Sequence, residues 1–175
     1  ADEAALVDAL TLLPEDNATR TLRDAARHLL AGIVARQTNN GLWMQVLDEP
    51  HLAGNYEETS ASAMFAYALL RAVRLKLVQG RAANDALSAG RRALQAILQT
   101  RLKTDEKGVM RLIGIVHVAG LGGFEGNYRD GTPEYYLTEP VVSDDAKGVG
   151  PLMMAYAESL RLAGVNAGQR APTIG

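Results

Sequence analysis

The chain has 175 residues, with 18 Lys and Arg against 20 Asp and Glu, 47% hydrophobic residues and no cysteine. That length suits one domain with a sizeable core. The missing cysteines exclude disulfides, a thiolate nucleophile and any sulfur-ligated metal. His28, His51 and His117 are far apart in sequence, so neither a metal nor another cofactor is expected. Near-neutral charge, with no basic run longer than Arg91-Arg92, argues against nucleic acid or an anionic membrane as the main partner. The uncharged stretch from Leu112 to Phe124 is too short and glycine-rich for a membrane span, and acidic residues stand where an export signal wants basic ones. A cytoplasmic setting is the expectation.

Alanine and leucine make 52 of the 175 residues, which favours helix strongly. A first short helix is predicted from Ala4 to Leu13, closed by Pro14. A second runs from Thr19 to Gln37, with Thr19 as N-cap and Leu22, Ala26, Leu29 and Ile33 on its buried face. Asn39-Asn40-Gly41 then turns, and Leu42 to Asp48 alternates like a strand. A third helix, from Thr59 or Ser60 to Val78, carries no charge over Ala61 to Leu70 and reads as an inner helix covered on both sides. The fourth, capped by Asn84 and reaching Leu102, is amphipathic and reads as an outer one. Val109 to Val118 is extended, a Gly-, Tyr- and carboxylate-rich stretch follows, and a last helix covers Lys147 or Val149 to Ala163. Pro151 is tolerable only in its first turn.

The chain also repeats itself. Outer helix, glycine turn, extended segment and inner helix occur twice, with Gly41 and Gly108 separated by 67 residues and Met64-Phe65-Ala66-Tyr67-Ala68 echoed 89 residues later by Met153-Met154-Ala155-Tyr156-Ala157. Gly126-Asn127-Tyr128 echoes Gly54-Asn55-Tyr56. Such a unit must stack on further copies to bury its inner helix. Periodicity alone leaves an ordinary helical bundle as the alternative to a helical-hairpin array.

Chemistry concentrates between Gly120 and Pro140. Tyrosine faces stack on sugar rings, and Arg129 offers a planar fork to a carboxylate, so an acidic carbohydrate is a reasonable ligand; alternatively, Arg129 simply pairs with Asp130 or Glu134. His117 reads as a core histidine in an apolar strand, or else points into a cleft. Trp43 either lines a pocket or plugs the core. Ser60 and Ser62 suit capping better than nucleophilic attack.

Gly41 to Asp48, Gly54 to Met64, Tyr128-Arg129-Asp130-Gly131 through Glu134 to Val142, and Asp145 to Pro151 together resemble the unsaturated rhamnogalacturonyl hydrolases of glycoside hydrolase family 105. The resemblance implies an all-α fold, part of an (α/α)6 barrel of helical hairpins with short β segments in the loops, residues 1–175 forming a single domain like the C-terminal half of such a barrel. It implies a role in pectin degradation, in which an unsaturated uronyl sugar is hydrated across its 4,5 double bond. The family's general acid, an aspartate, precedes the matching region, so no residue here inherits a catalytic role and the chain alone is expected to be inactive. Around the cleft the resemblance places Trp43, Tyr56, Glu58, Ser60, Arg129, Asp130, Tyr135, Tyr136 and Glu139 as substrate-binding, with Ser62 and His117 nearby. An acidic oligosaccharide is the implied ligand of the parent enzyme, and self-association or pairing with an N-terminal half would cover the open inner helices. The alternative is a noncatalytic half-barrel that binds carbohydrate or self-associates.

Overall fold

The computed structural model describes residues 2–123 and 128–164. Helices α1 (Asp2–Ala9), α2 (Asn17–Ala35), α3 (Thr59–Arg74) and α4 (Gly80–Thr100) come first. Strands β1 (Leu102–Thr104), β2 (Met110–Leu112) and β3 (Ile115–Val116) follow, then the single turn α5 (Pro133–Tyr136), strand β4 (Val141–Val142) and helix α6 (Ala146–Leu162). The fold is all-α, with two short antiparallel pairs in the connections, β1 with β2 and β3 with β4. The helices form an arc of an α/α toroid: α1, α3 and α6 make an inner row, α3 packing along α6 and against α1, while α2 and α4 lie outside it. No described helix is long and apolar enough to cross a membrane. Gly126 and Asn127 of the second Gly-Asn-Tyr echo lie outside the described residues.

The charge-free sequence of α3 is matched by its burial, which takes in both sides of the helix from Thr59 to Ala72. Its approach to α4 is close because Gly90 faces Leu70, where a Cβ would come within 2.9 Å of the leucine Cγ. Outer helix α4 buries small residues, Ala86, Ala89, Gly90 and Ala93, along with Leu94 and Ile97. Inner helix α6 is more open: Met153 is 68% exposed and Met154 42%, so the side of the arc beyond α3 has no covering helix among the described residues.

Several local expectations need correction. The cap of α2 is Asp16, whose carboxylate accepts the Thr19 amide at 2.8 Å; Thr19 itself is buried in the first turn. The buried face of α2 runs through Ala26, Leu30 and Ile33, leaving Leu22 and Leu29 each 40% exposed. Helix α4 starts at Gly80, four residues before the expected cap Asn84, after Gln79, which makes no side-chain capping bond. Leu42 to Asp48 forms no strand, only a bridge between Met44 and Glu57.

The extended stretch from Val109 to Val118 is two strands with different partners. It breaks at Gly114, whose φ of 82° suits glycine alone and whose carbonyl accepts the Thr59 amide at 2.9 Å. A Cβ at this position would sit 2.7 Å from the Thr59 hydroxyl. Pro151 lies in the second turn of α6, not the first; it removes the hydrogen bond its N–H would make to the Lys147 carbonyl.

Candidate functional site: a cleft at the starts of two inner helices

The site begins with the way α3 is capped. Glu58, 1% exposed, turns back over the first turn and accepts from the amides of Ser60 and Ala61. It also accepts the Ser60 hydroxyl at 2.8 Å and the Val116 amide of β3 at 2.9 Å. A buried carboxylate is tolerable only with such a full complement of donors. One side chain therefore ties the inner helix of the first repeat to the extended segment of the second. Asp145 caps α6 in the same way, accepting the Lys147 amide at 3.0 Å.

Between these two capped ends lies a cleft of about 370 Å³, lined by Gln45, Glu58, Ser60, Met64, Tyr136 and Lys147 among others. Among the described residues lining it, Lys147 is the only cation, and its ammonium lies 2.7 Å from Asp145. Its wall is braced from behind. Asn55 accepts the Val46 amide at 3.1 Å and donates to the carbonyls of Val46 and Glu49 at 2.9 and 2.8 Å, fixing the loop that carries Gln45. Ser62, fully buried, donates to the Glu58 carbonyl at 2.7 Å and accepts the Trp43 amide at 3.0 Å. Gly148 lets β3 lie on α6, since a Cβ there would meet the Ile115 Cδ1 at 2.6 Å.

Beside the cleft stands a second cluster. Arg129 is paired with Glu139 at 3.1 Å rather than with Asp130 or Glu134, and the Tyr135 hydroxyl donates to the same Glu139 oxygen in a short bond. The Tyr135 bond, followed by the Arg129 guanidinium, holds the Glu139 carboxyl below its ordinary range. The rings of Tyr135 and Tyr136 are 5.2 Å apart and tilted. Asp130 is exposed and occupied with its own turn, accepting from the Thr132 amide and hydroxyl at 2.9 and 2.8 Å. The buried Tyr56 hydroxyl has no hydrogen-bond partner among the described residues. Burial, and then the negative charges of Glu58 and Glu139, push its pKa up to about 12.

Of the residues named from sequence, Glu58, Ser60 and Tyr136 line the cleft, and Tyr56, Arg129, Tyr135 and Glu139 make the adjoining cluster. Trp43 lies behind both. It is 0% exposed, its indole N–H donates to the Ile33 carbonyl at 2.7 Å, and its ring meets Phe65 edge-on at 5.2 Å. His117 is not a core residue: β3 ends at Val116, the His117 amide donates to the Pro140 carbonyl at 2.8 Å, and its side chain is exposed. Gln45, Met64 and Lys147 escaped notice. Lys147 was legible in the repeat, because it stands two residues after the cap Asp145 as Ser60 stands two after Glu58. No group of three His, Asp or Glu side chains that could hold a metal occurs among the described residues.

A spectroscopic titration should show late tyrosines, Tyr56 among them. Tyr67, held by burial and by its bond to Asp8, also rises to about 12. Folded values above the unfolded value near 10 mean that the native state favours the neutral phenol. The resulting stability is present below about pH 10 and lost as pH rises through about 12. The expected result is Tyr56 and Tyr67, among the six tyrosines, ionising well above the ordinary phenol range, with Tyr56→Phe removing one such group. A profile in which all six ionise together near 10 would show that neither hydroxyl is shielded.

The chain is 77% identical over 159 residues to "Protein Atu3128" of Agrobacterium fabrum, a match covering 91% of this chain and 68% of that protein. Among solved structures, a family 105 glycoside hydrolase from C. acetobutylicum superposes with a TM-score of 0.79 at 34% identity, over 89% of this chain and 42% of that one. A possible family 105 member from Klebsiella pneumoniae gives 0.72 at 27% identity, over 92% and 38%. This chain thus spans less than half the length of the solved structures it matches. With residues 3–163 matching the model of Glycosyl Hydrolase Family 88, the chain belongs to that family.

Proposed function

We propose that this chain supplies part of the sugar-binding cleft of a hydrolase acting on unsaturated uronyl oligosaccharides of the rhamnogalacturonyl type, as in family 105, in the cytoplasm. It corresponds in this reading to the C-terminal half of the barrel. The observation that carries the proposal is the cleft between the capped starts of α3 and α6, with a cation, a fixed hydroxyl and a tyrosine on its walls. Lys147 offers a charge to a uronate carboxylate, and Tyr136 offers a ring face to the sugar. The Ser60 hydroxyl, donating to Glu58, leaves its lone pairs to accept from a sugar hydroxyl.

In the reaction, a proton adds to C4 of the unsaturated ring and water adds to C5, losing its second proton to the medium. The hemiketal so formed opens and releases the neighbouring sugar with its hydroxyl restored. The chain's own residues bind and orient the sugar; the proton donor is assigned to none of them. Orientation of a bound substrate is itself a large part of catalysis.

The test follows loss of the ultraviolet absorbance of an unsaturated rhamnogalacturonyl disaccharide. The full-length natural protein is expected to consume it and the 175-residue chain alone is not. Lys147→Ala in the full-length protein should raise KM about tenfold, the cost of one charge-assisted hydrogen bond, with kcat little changed. Turnover by the isolated chain would overturn the assignment of the acid to the missing part. An inactive full-length protein that still binds the disaccharide would favour the noncatalytic half-barrel, a reading to which the exposed Met153 and Met154 of α6 lend support.

A further inference from the structure

Glu57 and Glu58 are consecutive and face opposite ways. Glu58 lines the cleft, while Glu57 lines a second depression of about 610 Å³ on the outer side of the same wall, between α4 and the turn at Asn40. Arg92, Gln95, Gln99, Arg101 and Asn40 complete it, and none of them lines the cleft. The trough has a fixed floor. Glu57 accepts from the Thr38 hydroxyl at 2.7 Å, from the Asn40 amide at 3.0 Å and from Arg101 Nη2 at 3.0 Å. That ion pair is mostly buried, at 24% and 15% side-chain exposure. Among the described residues Arg101 makes no other side-chain bond, and its Nε–H is without a partner. Arg92 reaches Gln37, a neutral acceptor, so the trough carries two guanidiniums against one carboxylate, and among the described residues only Arg101 is paired with it.

We infer that this trough is a second, separate binding site for an acidic sugar, the guanidiniums of Arg92 and Arg101 taking a uronate carboxylate and the amides of Gln95, Gln99 and Asn40 taking hydroxyls. Planar forked donors match a carboxylate geometrically. Side-chain amides, which both donate and accept, suit the mixed demands of a hydroxyl-rich ring. A lone phosphate would use the arginines and leave the amides of Gln95 and Gln99 idle; an acidic saccharide uses both sets. The uronide class rests on the function proposed above, whereas the site stands on residues that function does not use.

The probe is saturated trigalacturonate, which has no double bond to hydrate, titrated into the chain while the side-chain amide signals of Gln95 and Gln99 are followed by NMR. These signals should shift saturably and keep doing so in Lys147→Ala. Arg92→Ala and Gln99→Ala, both at exposed positions, should leave the thermal melt unchanged and weaken binding about tenfold each. Arg101→Gln should abolish it. Shifts confined to the cleft, equal binding of neutral trigalactose, or equal occupancy of the same signals by inorganic phosphate would each overturn the inference. Failure of the hydrolase assay would leave these outcomes unchanged, so the two proposals fail separately.

Discussion

Replacing Glu158 by alanine is expected to destabilise the protein by about 3 kcal/mol, seen as a fall in the urea midpoint with an unchanged slope. Glu158 is 1% exposed on α6 and meets three guanidiniums: Arg71 and Arg74 of α3, and Arg161 one turn further along α6. Arg71 alone has a second carboxylate, Asp8 of the N-terminal helix, at 2.8 Å. Alanine removes the carboxylate that holds the far ends of α3 and α6 together and leaves the positive charges facing one another. The solvent reach of Arg74 and Arg161, at 30% and 59% exposure, sets the effect at the lower end of what breaking a buried pair costs. Glu158→Gln should fall between the two, keeping shape while losing charge. A loss below about 1 kcal/mol, the scale of an exposed pair, would show that water already screens the cluster.

Trp43→Ala should cost a comparable amount, about 3–5 kcal/mol for a fully buried large aromatic. The indole fills the space between α2 and α3, and its hydrogen bond satisfies the carbonyl of Ile33 near the end of α2. Removing it leaves a cavity beside Phe65 and takes one of two donors from the Ile33 carbonyl, which keeps the Arg36 amide at 3.1 Å. The decisive comparison is a melt beside a sugar titration. A residue that stacks on a ligand would lose binding and keep its melting temperature, whereas a residue holding the loop from behind loses stability first. Trp43→Phe, which keeps a ring and forfeits the N–H, should retain roughly half of the difference.

The features legible in the sequence were those that repeat or lack charge. Ala61 to Leu70 announces an inner helix because no residue in it is charged, and the Met64 and Met153 pentapeptides betray the duplicated unit. Cap positions were less legible. Asp16 and Thr19 are both good caps, and in the fold Asp16 takes the position, accepting the amide of Thr19. Asn84 misled because α4 begins without a side-chain cap at all. His117 looked internal since its neighbours are apolar, yet β3 is only two residues long and its pairing with β4 is a property of distant sequence. Arg129 is followed by acidic residues at Asp130 and Glu134, and its partner is the more distant Glu139. Tertiary placement of Tyr135, whose hydroxyl shares that carboxylate, decides this, and local spacing does not.

The matching caps of α3 and α6 carry one more consequence. Two residues beyond each cap, the duplicated backbone presents a hydroxyl at Ser60 in one copy and an ammonium at Lys147 in the other. Two identical walls would accept an elongated ligand either way round. Exchanging one side chain at one equivalent position removes that degeneracy. Under the sugar-binding role proposed above, a saccharide with one charged and one neutral end would meet unlike walls and enter the cleft in a single direction.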